Sequence, residues 1–257
     1  MKKLVALVMA LMMVFSMSFG LAEESDLAYI SNKGVLVVGI TDFAPMDYKD
    51  ADGNWIGFDA DMAVAFAAVL GLDVEFVEID WDNKILELNG KTVDCIWNGM
   101  TLTDEVKAAM ETGKPYMNNA QIVVVKADVA DNYQTVESLA DLTFAVEAGS
   151  AGEAVATELG LKVTPVTAQA DALMEVAAGT SDAAIIDSLM AAAMVGEGTG
   201  YANLTYTVGL NSEEYGVGFR KGSDMAEAFN LFLDAAIESG VIDEVAAEYG
   251  VQAALIK

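Results

Sequence analysis

The amino-acid sequence predicts an α/β fold made of two lobes with a cleft between them. Two observations support this prediction. Strand patterns alternate with helix patterns along the chain, which is typical of parallel sheets joined by crossover helices. A second strand and helix series then repeats the order of the first, and two units of similar design in tandem indicate two lobes that face each other.

The first series is predicted to contain two strands and two helices before residue 90. Apolar residues recur at helical spacing after Gly57, and Gly71 supplies a helix stop. Asp59 and Asp61 suit the positive end of this helix's dipole. The predicted elements are a strand at 36–40, a helix from about 59 to 70, a strand at 74–79 and a short helix at 82–89.

Residues 94–105 are predicted to form half of a binding site. An apolar strand ends there at Gly99, and Thr103, Asp104 and Glu105 suit a helix N-terminus. In an open α/β sheet, ligands bind outside the carboxyl ends of the strands. The free N–H groups of a helix N-terminus favour anionic groups such as carboxylates.

The second series follows an uninterrupted apolar strand, as expected where both faces of a strand are covered. Ser150 and Glu153 have the spacing of a capping box. Asp187 ends the last strand of this series and is delivered to the sheet edge. The predicted elements are strands at 121–126, 142–146, 162–166 and 183–187, helices ending near 160 and at 169–178, a returning strand at 213–220 and closing helices at 223–239 and 242–249.

The first 22 residues are predicted to be a secretory signal peptide. Lys2 and Lys3 precede an apolar run, and Gly20 and Ala22 are small residues at the positions that a signal peptidase requires. The alternative is an uncleaved membrane anchor, because the run approaches the length of a membrane span. No lipobox cysteine follows the predicted cleavage site, so the protein is expected to be secreted, either periplasmic or extracellular at the cell surface.

Composition excludes several classes of function. The first 22 residues hold two of the 13 basic residues and none of the 40 acidic residues, which leaves a net charge of −29 without them. Nucleic acid and anionic lipid are poor partners for such a surface. The chain has no histidine, which excludes imidazole chemistry and His-rich metal sites, and its single Cys95 lies in an apolar strand.

Seven segments occur in the order seen in bacterial extracellular solute-binding proteins of family 3, and the chain resembles this family over nearly all of residues 30–250. They are TDFAPMDY (41–48), GFDAD (57–61), WNGMTLT (97–103), SLADL (138–142), EAGSAG (147–152), SDAAIID (181–187) and YGVGFRKG (215–222).

The resemblance implies a two-lobed periplasmic-binding-protein-like fold of type II that traps an amino acid or related amine-bearing solute for an ABC transporter permease. It also implies a monomer with no cofactor, no metal and no catalytic residue. The lobes are predicted to comprise residues 23–120 with 213–257, and residues 121–212. The alternatives are an enzyme similar to cyclohexadienyl dehydratase on the same fold, or an extracellular sensor domain.

The resemblance also implies which residues bind the ligand. Phe43 and Trp81 resemble the aromatic residues that sandwich its side chain, and as aromatic residues in polar loops they are expected to face the ligand rather than the core. Asp187 resembles the acid that pairs with its ammonium group. The remaining predicted positions are Asn98, Gly99 and Thr101 on the ammonium side, Ser150 and Ala151 on the carboxylate side, and Asp42 in a loop that is one residue shorter than usual.

One departure from the family bears on specificity. The family has an arginine that clamps the ligand carboxylate, and Val106 stands at that position here. Lys107 and Lys114 are candidate substitutes, although a surface location is expected for both. Glu147 is a candidate for lining the cleft, with a solvated loop acid as the alternative. The sequence therefore predicts a cationic or carboxylate-masked amine as the ligand.

Overall fold

The computed structural model describes residues 25–256, and these residues form two lobes, each built on a five-stranded mixed sheet with packed helices. The predicted signal peptide lies outside this part of the chain. Within it, no helix has the length and apolar character needed to cross a bilayer.

The strands and helices are numbered here in chain order. The strands are β1 (Val35–Ile40), β2 (Tyr48–Lys49), β3 (Trp55–Ile56), β4 (Asp73–Glu78), β5 (Cys95–Ile96), β6 (Met110–Thr112), β7 (Met117–Asn119), β8 (Gln121–Lys126), β9 (Thr143–Glu147), β10 (Lys162–Val166), β11 (Ala183–Asp187), β12 (Leu204–Gly209), β13 (Glu213–Tyr215) and β14 (Gly218–Arg220). The helices are α1 (Asp26–Lys33), α2 (Phe58–Leu70), α3 (Lys84–Asn89), α4 (Asp104–Ala109), α5 (Ala151–Glu158), α6 (Gln169–Ala178), α7 (Ser188–Met194), α8 (Met225–Ser239) and α9 (Val241–Glu248), with 3₁₀ turns at Trp81–Asn83, Ala127–Asn132 and Val136–Leu139.

The first sheet has the strand order β4-β1-β5-β14-β6, in which β4 and β5 run parallel to β1. β14 returns from late in the chain and pairs antiparallel with both β5 and β6. The second sheet has the order β10-β9-β11-β8-β12, with β9, β10 and β11 parallel and β8 antiparallel to β11. The predicted parallel crossovers are therefore present, and each sheet gains antiparallel strands at one side.

Two segments carry the chain between the sheets, and they pair with each other as β7 and β13. Glu213 lies opposite Asn119, and Tyr215 lies opposite Met117. The sequence predicts one strand over 213–220, which is wrong. The chain leaves β13 at Gly216 and begins β14 at Gly218, because the first segment pairs with β7 and the second with the first sheet.

Apolar side chains fill the interior of both lobes. In the first lobe, α2 is buried on most of its surface, and Trp97 packs edge-on against Phe229 of α8 with ring centroids 5.1 Å apart. In the second lobe, alternate residues of β8, including Val123 and Val125, pack with Phe144. These two interiors hold the strand ends that converge on the cleft, so side chains near those ends are fixed by rigid elements.

Candidate functional site

A cavity of about 260 Å³ lies between the two lobes. From the first lobe it is lined by the ends of β1 and β5, by the 3₁₀ turn at Trp81 and by the start of α4. From the second lobe it is lined by the end of β9, the start of α5 and the end of β11. Strand ends and helix starts thus meet at one place, as expected for a ligand site in α/β lobes.

The structure brings eight of the nine predicted site residues together around this cavity. They are Phe43, Trp81, Asn98, Gly99, Thr101, Ser150, Ala151 and Asp187. Asp42 does not line the cavity, and its side chain is exposed. The ligand-binding role of all nine residues stays a prediction.

Phe43 and Trp81 line the cavity but are more buried than the sequence predicts. Their exposed fractions are 2% and 7%, although each follows or lies among polar loop residues. Phe43 is covered by Gly99, where φ is +54° and an added Cβ would lie 2.4 Å from the Phe43 ring. Glycine at position 99 therefore allows both the left-handed turn and the close approach of the ring.

Asn98 is held by hydrogen bonds within the first lobe. Its amide oxygen accepts from the backbone N–H and hydroxyl of Thr41, at 3.0 and 2.7 Å, and its amide nitrogen donates to Asp47 at 2.8 Å. The amide also donates to the Thr41 carbonyl oxygen. The side chain thus fixes the loop at the end of β5.

Asp59 supports the same loop from beneath. The sequence predicts a helix-dipole role for this acid, but the structure buries it completely, where it accepts from the Gly99 N–H at 2.6 Å and from the Tyr116 hydroxyl at 2.7 Å. Burial raises the pKa of Asp59 to about 7. The helix dipole alone therefore does not explain Asp59, because its hydrogen bonds to Gly99 and Tyr116 determine where the side chain lies.

The N-terminus of α5 points at the cavity. The Ser150 hydroxyl accepts from the Glu153 N–H at 3.1 Å, as the predicted capping box requires. The Glu153 carboxylate accepts from Gly149 rather than from Ser150, whose own N–H donates to the Glu147 carbonyl. Ala151 is the first helical residue, so its N–H has no intrahelical acceptor and is free to meet a carboxylate.

Asp187 is a buried carboxylate at the cavity wall, with 4% of its surface exposed. It accepts hydrogen bonds from Tyr215 at 2.7 Å and Gln121 at 3.0 Å, and also from Asn119 and Gln169. Burial, together with the nearby charge of Glu213, raises its pKa to about 7. The acid is fixed in place by four donors, and its ionised form still lacks a positive partner among the described residues.

Glu147 is the second buried acid of the cavity, with 2% of its surface exposed. Its Oε1 atom has no hydrogen-bond partner within residues 25–256. Burial and the neighbouring Asp187 raise its pKa to about 8, which Lys84 and Gln169 oppose. Of the two alternatives that the sequence leaves open, the structure places this side chain in the cavity.

Lys84 and Gln169 are cavity residues that sequence reasoning missed. Lys84 begins α3, and its ammonium group donates to the carbonyl oxygens of Gly149 at 2.8 Å and Trp81 at 3.2 Å. It lies 5.0 Å from the centroid of the Trp81 ring. Among the described residues, Lys84 is the basic residue that lines the cavity, whereas the exposed Lys114 pairs with Asp234.

The two lobes touch beside Lys84. Gly149 has φ +69°, and an added Cβ would lie 2.8 Å from the Cα atom of Asp82 in the opposite lobe. A side chain at position 149 would therefore hold the lobes apart as well as strain the turn. The Lys84 to Gly149 hydrogen bond crosses the same narrow gap.

The raised pKa values of Glu147 and Asp187 lead to an expected pH dependence of stability. Their usual values are 4.5 and 3.8, so the folded state holds both protons more tightly than the unfolded state does. The stability that they contribute is complete below the unfolded values, falls as the pH rises above them, and is fully lost once the pH has passed about 7 for Asp187 and about 8 for Glu147. We expect the melting temperature of the ligand-free protein to fall over this range in circular dichroism, and the fall to be smaller in Glu147→Gln. An identical profile in the variant would contradict this assignment.

Comparison with known proteins agrees with this architecture. The family model of the bacterial extracellular solute-binding proteins, family 3, matches residues 36–252. The arginine-binding extracellular protein ArtP of Bacillus subtilis (strain 168) is 28% identical over 252 residues, covering 95% of this chain and 96% of ArtP. A mutant of ArgBP from T. maritima has 33% identity and a TM-score of 0.82, covering 88% of this chain and 99% of that structure. The ancestral amino acid-binding protein AncCDT-1, a precursor of cyclohexadienyl dehydratase, has 33% identity and a TM-score of 0.80, with the same coverage.

Proposed function

The chain belongs to the bacterial extracellular solute-binding proteins of family 3, and we propose that it binds an amino acid with a cationic side chain between its lobes. In this proposal it passes the bound solute to the permease of an ABC importer. Closure of the lobes around the solute is the conformational change that the permease recognises.

The observation that carries the proposal is the pair of buried carboxylates at the cavity, Glu147 and Asp187. Ionisation of these buried acids without a positive partner is costly, as their raised pKa values reflect, so a ligand whose positive groups stabilise the ionised forms is favoured over a neutral or anionic one. With Lys84 as the buried base, the buried lining has two acids and one base. An amino acid with a cationic side chain has the complementary set of two positive groups and one negative group.

The names of related proteins support the same class of ligand. ArtP is an arginine-binding protein, and the structural neighbours include arginine-bound proteins and a protein from Streptococcus pneumoniae with bound histidine. These ligands belong to the related proteins. For this chain they direct the first choice of compounds, of which arginine and lysine fit the buried charges of the cavity best.

Calorimetric titration against arginine, lysine, glutamine and glutamate tests the proposal. We expect binding of arginine or lysine, weaker binding of glutamine and no binding of glutamate, whose second carboxylate would lie among acids. Tight binding of glutamate, or binding of none of the four compounds, would refute it. The protein should be unfolded and refolded beforehand, so that a solute retained from the host does not block the site.

The aromatic residues are expected to contribute less than the acids. Leucine is the better replacement than alanine for Phe43 and Trp81, because both side chains are buried and an alanine would leave a large cavity. Each leucine variant should lose about 0.5–2 kcal/mol of arginine binding, the range for a cation over an aromatic ring. Calorimetry gives this loss directly, and unchanged affinity in both variants would remove the rings from the site.

A cyclohexadienyl-dehydratase-like enzyme is the second candidate function. The pKa of Glu147, raised to about 8, keeps this carboxyl protonated at neutral pH, as a general acid requires. Incubation with a cyclohexadienyl carboxylate, followed by ultraviolet absorbance of the aromatic product, tests it. Product formation that Glu147→Gln abolishes would favour the enzyme, and absence of product would favour a binding protein without catalysis.

The proposal also covers the oligomeric state and the location of the protein. The protein acts as a monomer, without catalysis, outside the cytoplasm, either in the periplasm or at the cell surface. The boundaries of its lobes, at residues 23–120 with 213–257 and at residues 121–212, stay a prediction. In this proposal the two chain crossings, at β7 and β13, serve as the hinge for closure.

A further inference from the structure

Lys84 lines the cavity although it lies outside all seven segments in which the chain resembles the family. Its side chain is 8% exposed, and it comes from α3, whereas the position of the family's arginine belongs to α4. Val106 at that position packs into an apolar cluster with Trp81 and Met100. The cavity therefore has a buried cation, but it enters from a different helix.

The ammonium group of Lys84 lies beside the N-terminus of α5. It donates to the carbonyl oxygen of Gly149, two residues before Ala151, across the gap between the lobes. An ammonium group has three N–H donors, and within the described residues two of them have protein acceptors, on Gly149 and Trp81. One N–H of the Lys84 ammonium group and the backbone N–H of Ala151 thus remain without protein acceptors in the described part of the chain, and both groups line the same part of the cavity.

The two buried acids of the cavity wall come from strands of the second sheet, and Glu147 is near enough to Lys84 for the ammonium group to oppose the rise of its pKa. Glu147 has an oxygen without a partner, and Asp187 lies beside Gln169 and Tyr215. The cavity thus has positive donors near α5 and Lys84, and acceptors at the two acids. A ligand with both positive and negative groups matches this arrangement, whereas a ligand with positive groups alone would offer no acceptor to the third N–H of Lys84.

We propose that Lys84, with the N–H of Ala151, binds the free carboxylate of the ligand and takes the role that an arginine on α4 has in the family. This inference rests on the proposed function and narrows it. The ligand keeps its carboxylate, so the carboxylate-masked amines that the sequence also predicts are poor ligands. Because Lys84 also bridges to Gly149, carboxylate binding and contact between the lobes involve the same side chain.

Two matched pairs of compounds test the inference. Agmatine is arginine without its carboxylate, and cadaverine is lysine without its carboxylate. We expect the wild-type protein to bind the amino acid of at least one pair about 30-fold or more tightly than its decarboxylated partner, the range for losing one member of a desolvated charge pair. In Lys84→Met, binding of the amino acid should weaken by a similar factor, and binding of the decarboxylated amine should change by less than about threefold.

The decarboxylated amines separate recognition of a carboxylate from a structural role of Lys84. If the side chain only joined the lobes, Lys84→Met would weaken binding of both members of a pair equally, and the inference would fall. Equal wild-type affinity for both members would also overturn it, while the proposed function would stand. Binding of none of the four compounds would defeat both. Lys107→Met is the matched control, because this exposed lysine has the same charge but does not line the cavity, and its affinities should equal those of the wild type.

Discussion

Glu147→Gln is expected to weaken arginine binding by about 2–5 kcal/mol, because it removes a buried carboxylate that a ligand cation pairs with. The same variant should keep or raise the stability of the ligand-free protein. Its Oε1 atom has no partner within the described residues, and a neutral amide of the same shape avoids the desolvation of a charge. Calorimetry for binding and circular dichroism for melting measure the two effects.

This combination of weaker binding and retained stability distinguishes a ligand-facing acid from a structural one. Glu158→Gln is the matched control, since Glu158 is an exposed acid on α5 in the same lobe. The control should bind arginine like the wild type. Unchanged arginine affinity in Glu147→Gln, or loss of its fold, would show that the carboxylate does not serve the ligand.

Asp187→Asn is expected to weaken arginine binding by a similar amount, about 2–5 kcal/mol. The structural effect should differ from that of Glu147→Gln. Asp187 accepts from four donors, including Tyr215 and Gln169, and an asparagine has only one oxygen for them. We therefore expect a lower melting temperature, with the folded state still populated at 25 °C, so that calorimetry can be carried out there.

Asp182→Asn is the control for this loss of stability. Asp182 precedes β11, is exposed, and accepts from the Thr143 N–H at 2.9 Å, so its replacement lowers stability without touching the cavity. Arginine affinity should be unchanged in this control. Affinity within about threefold of the wild type in Asp187→Asn would contradict the pairing of this acid with the ligand.

Local sequence patterns predict much of the fold in the second lobe. The structure begins and ends β10, α6 and β11 at the residues that the periodicity predicts. Gly179, with φ +79°, is typical of a helix that ends in a left-handed turn. These elements are bounded by residues with strong backbone preferences, so neighbouring sequence is sufficient to define them.

The parts that were missed depend on contacts between distant segments. The predicted strand over 213–220 divides at Gly216, where an added Cβ would lie 2.7 Å from the Leu102 side chain. The contact between Gly216 and Leu102 has no signal in the adjacent sequence. Helix α1 is different, because Ser25 caps its start and Gly34, at φ +79°, ends it, and these local signals were overlooked.

The sequence predicts most of the site, including Asp187 and, as one of two alternatives, Glu147, but it does not predict Lys84 or Gln169. Family motifs indicate Trp81, Ser150 and Asp187, which lie at strand ends and helix starts in both this chain and the family. Lys84 reaches the cavity by a hydrogen bond to Gly149, which is distant in the sequence. A lysine or a glutamate is most often exposed, so the burial of Lys84 and Glu147 depends on tertiary contacts that adjacent residues do not indicate.

Small-angle scattering with arginine and with glutamate tests most directly the central claim that the lobes close around a cationic solute. In this account the two chain crossings at β7 and β13 serve as the hinge, and the Lys84 to Gly149 hydrogen bond joins the lobes when they are closed. We expect the radius of gyration to fall when arginine is added and to stay unchanged with glutamate. An unchanged radius at saturating arginine, or an equal decrease with glutamate, would contradict the account.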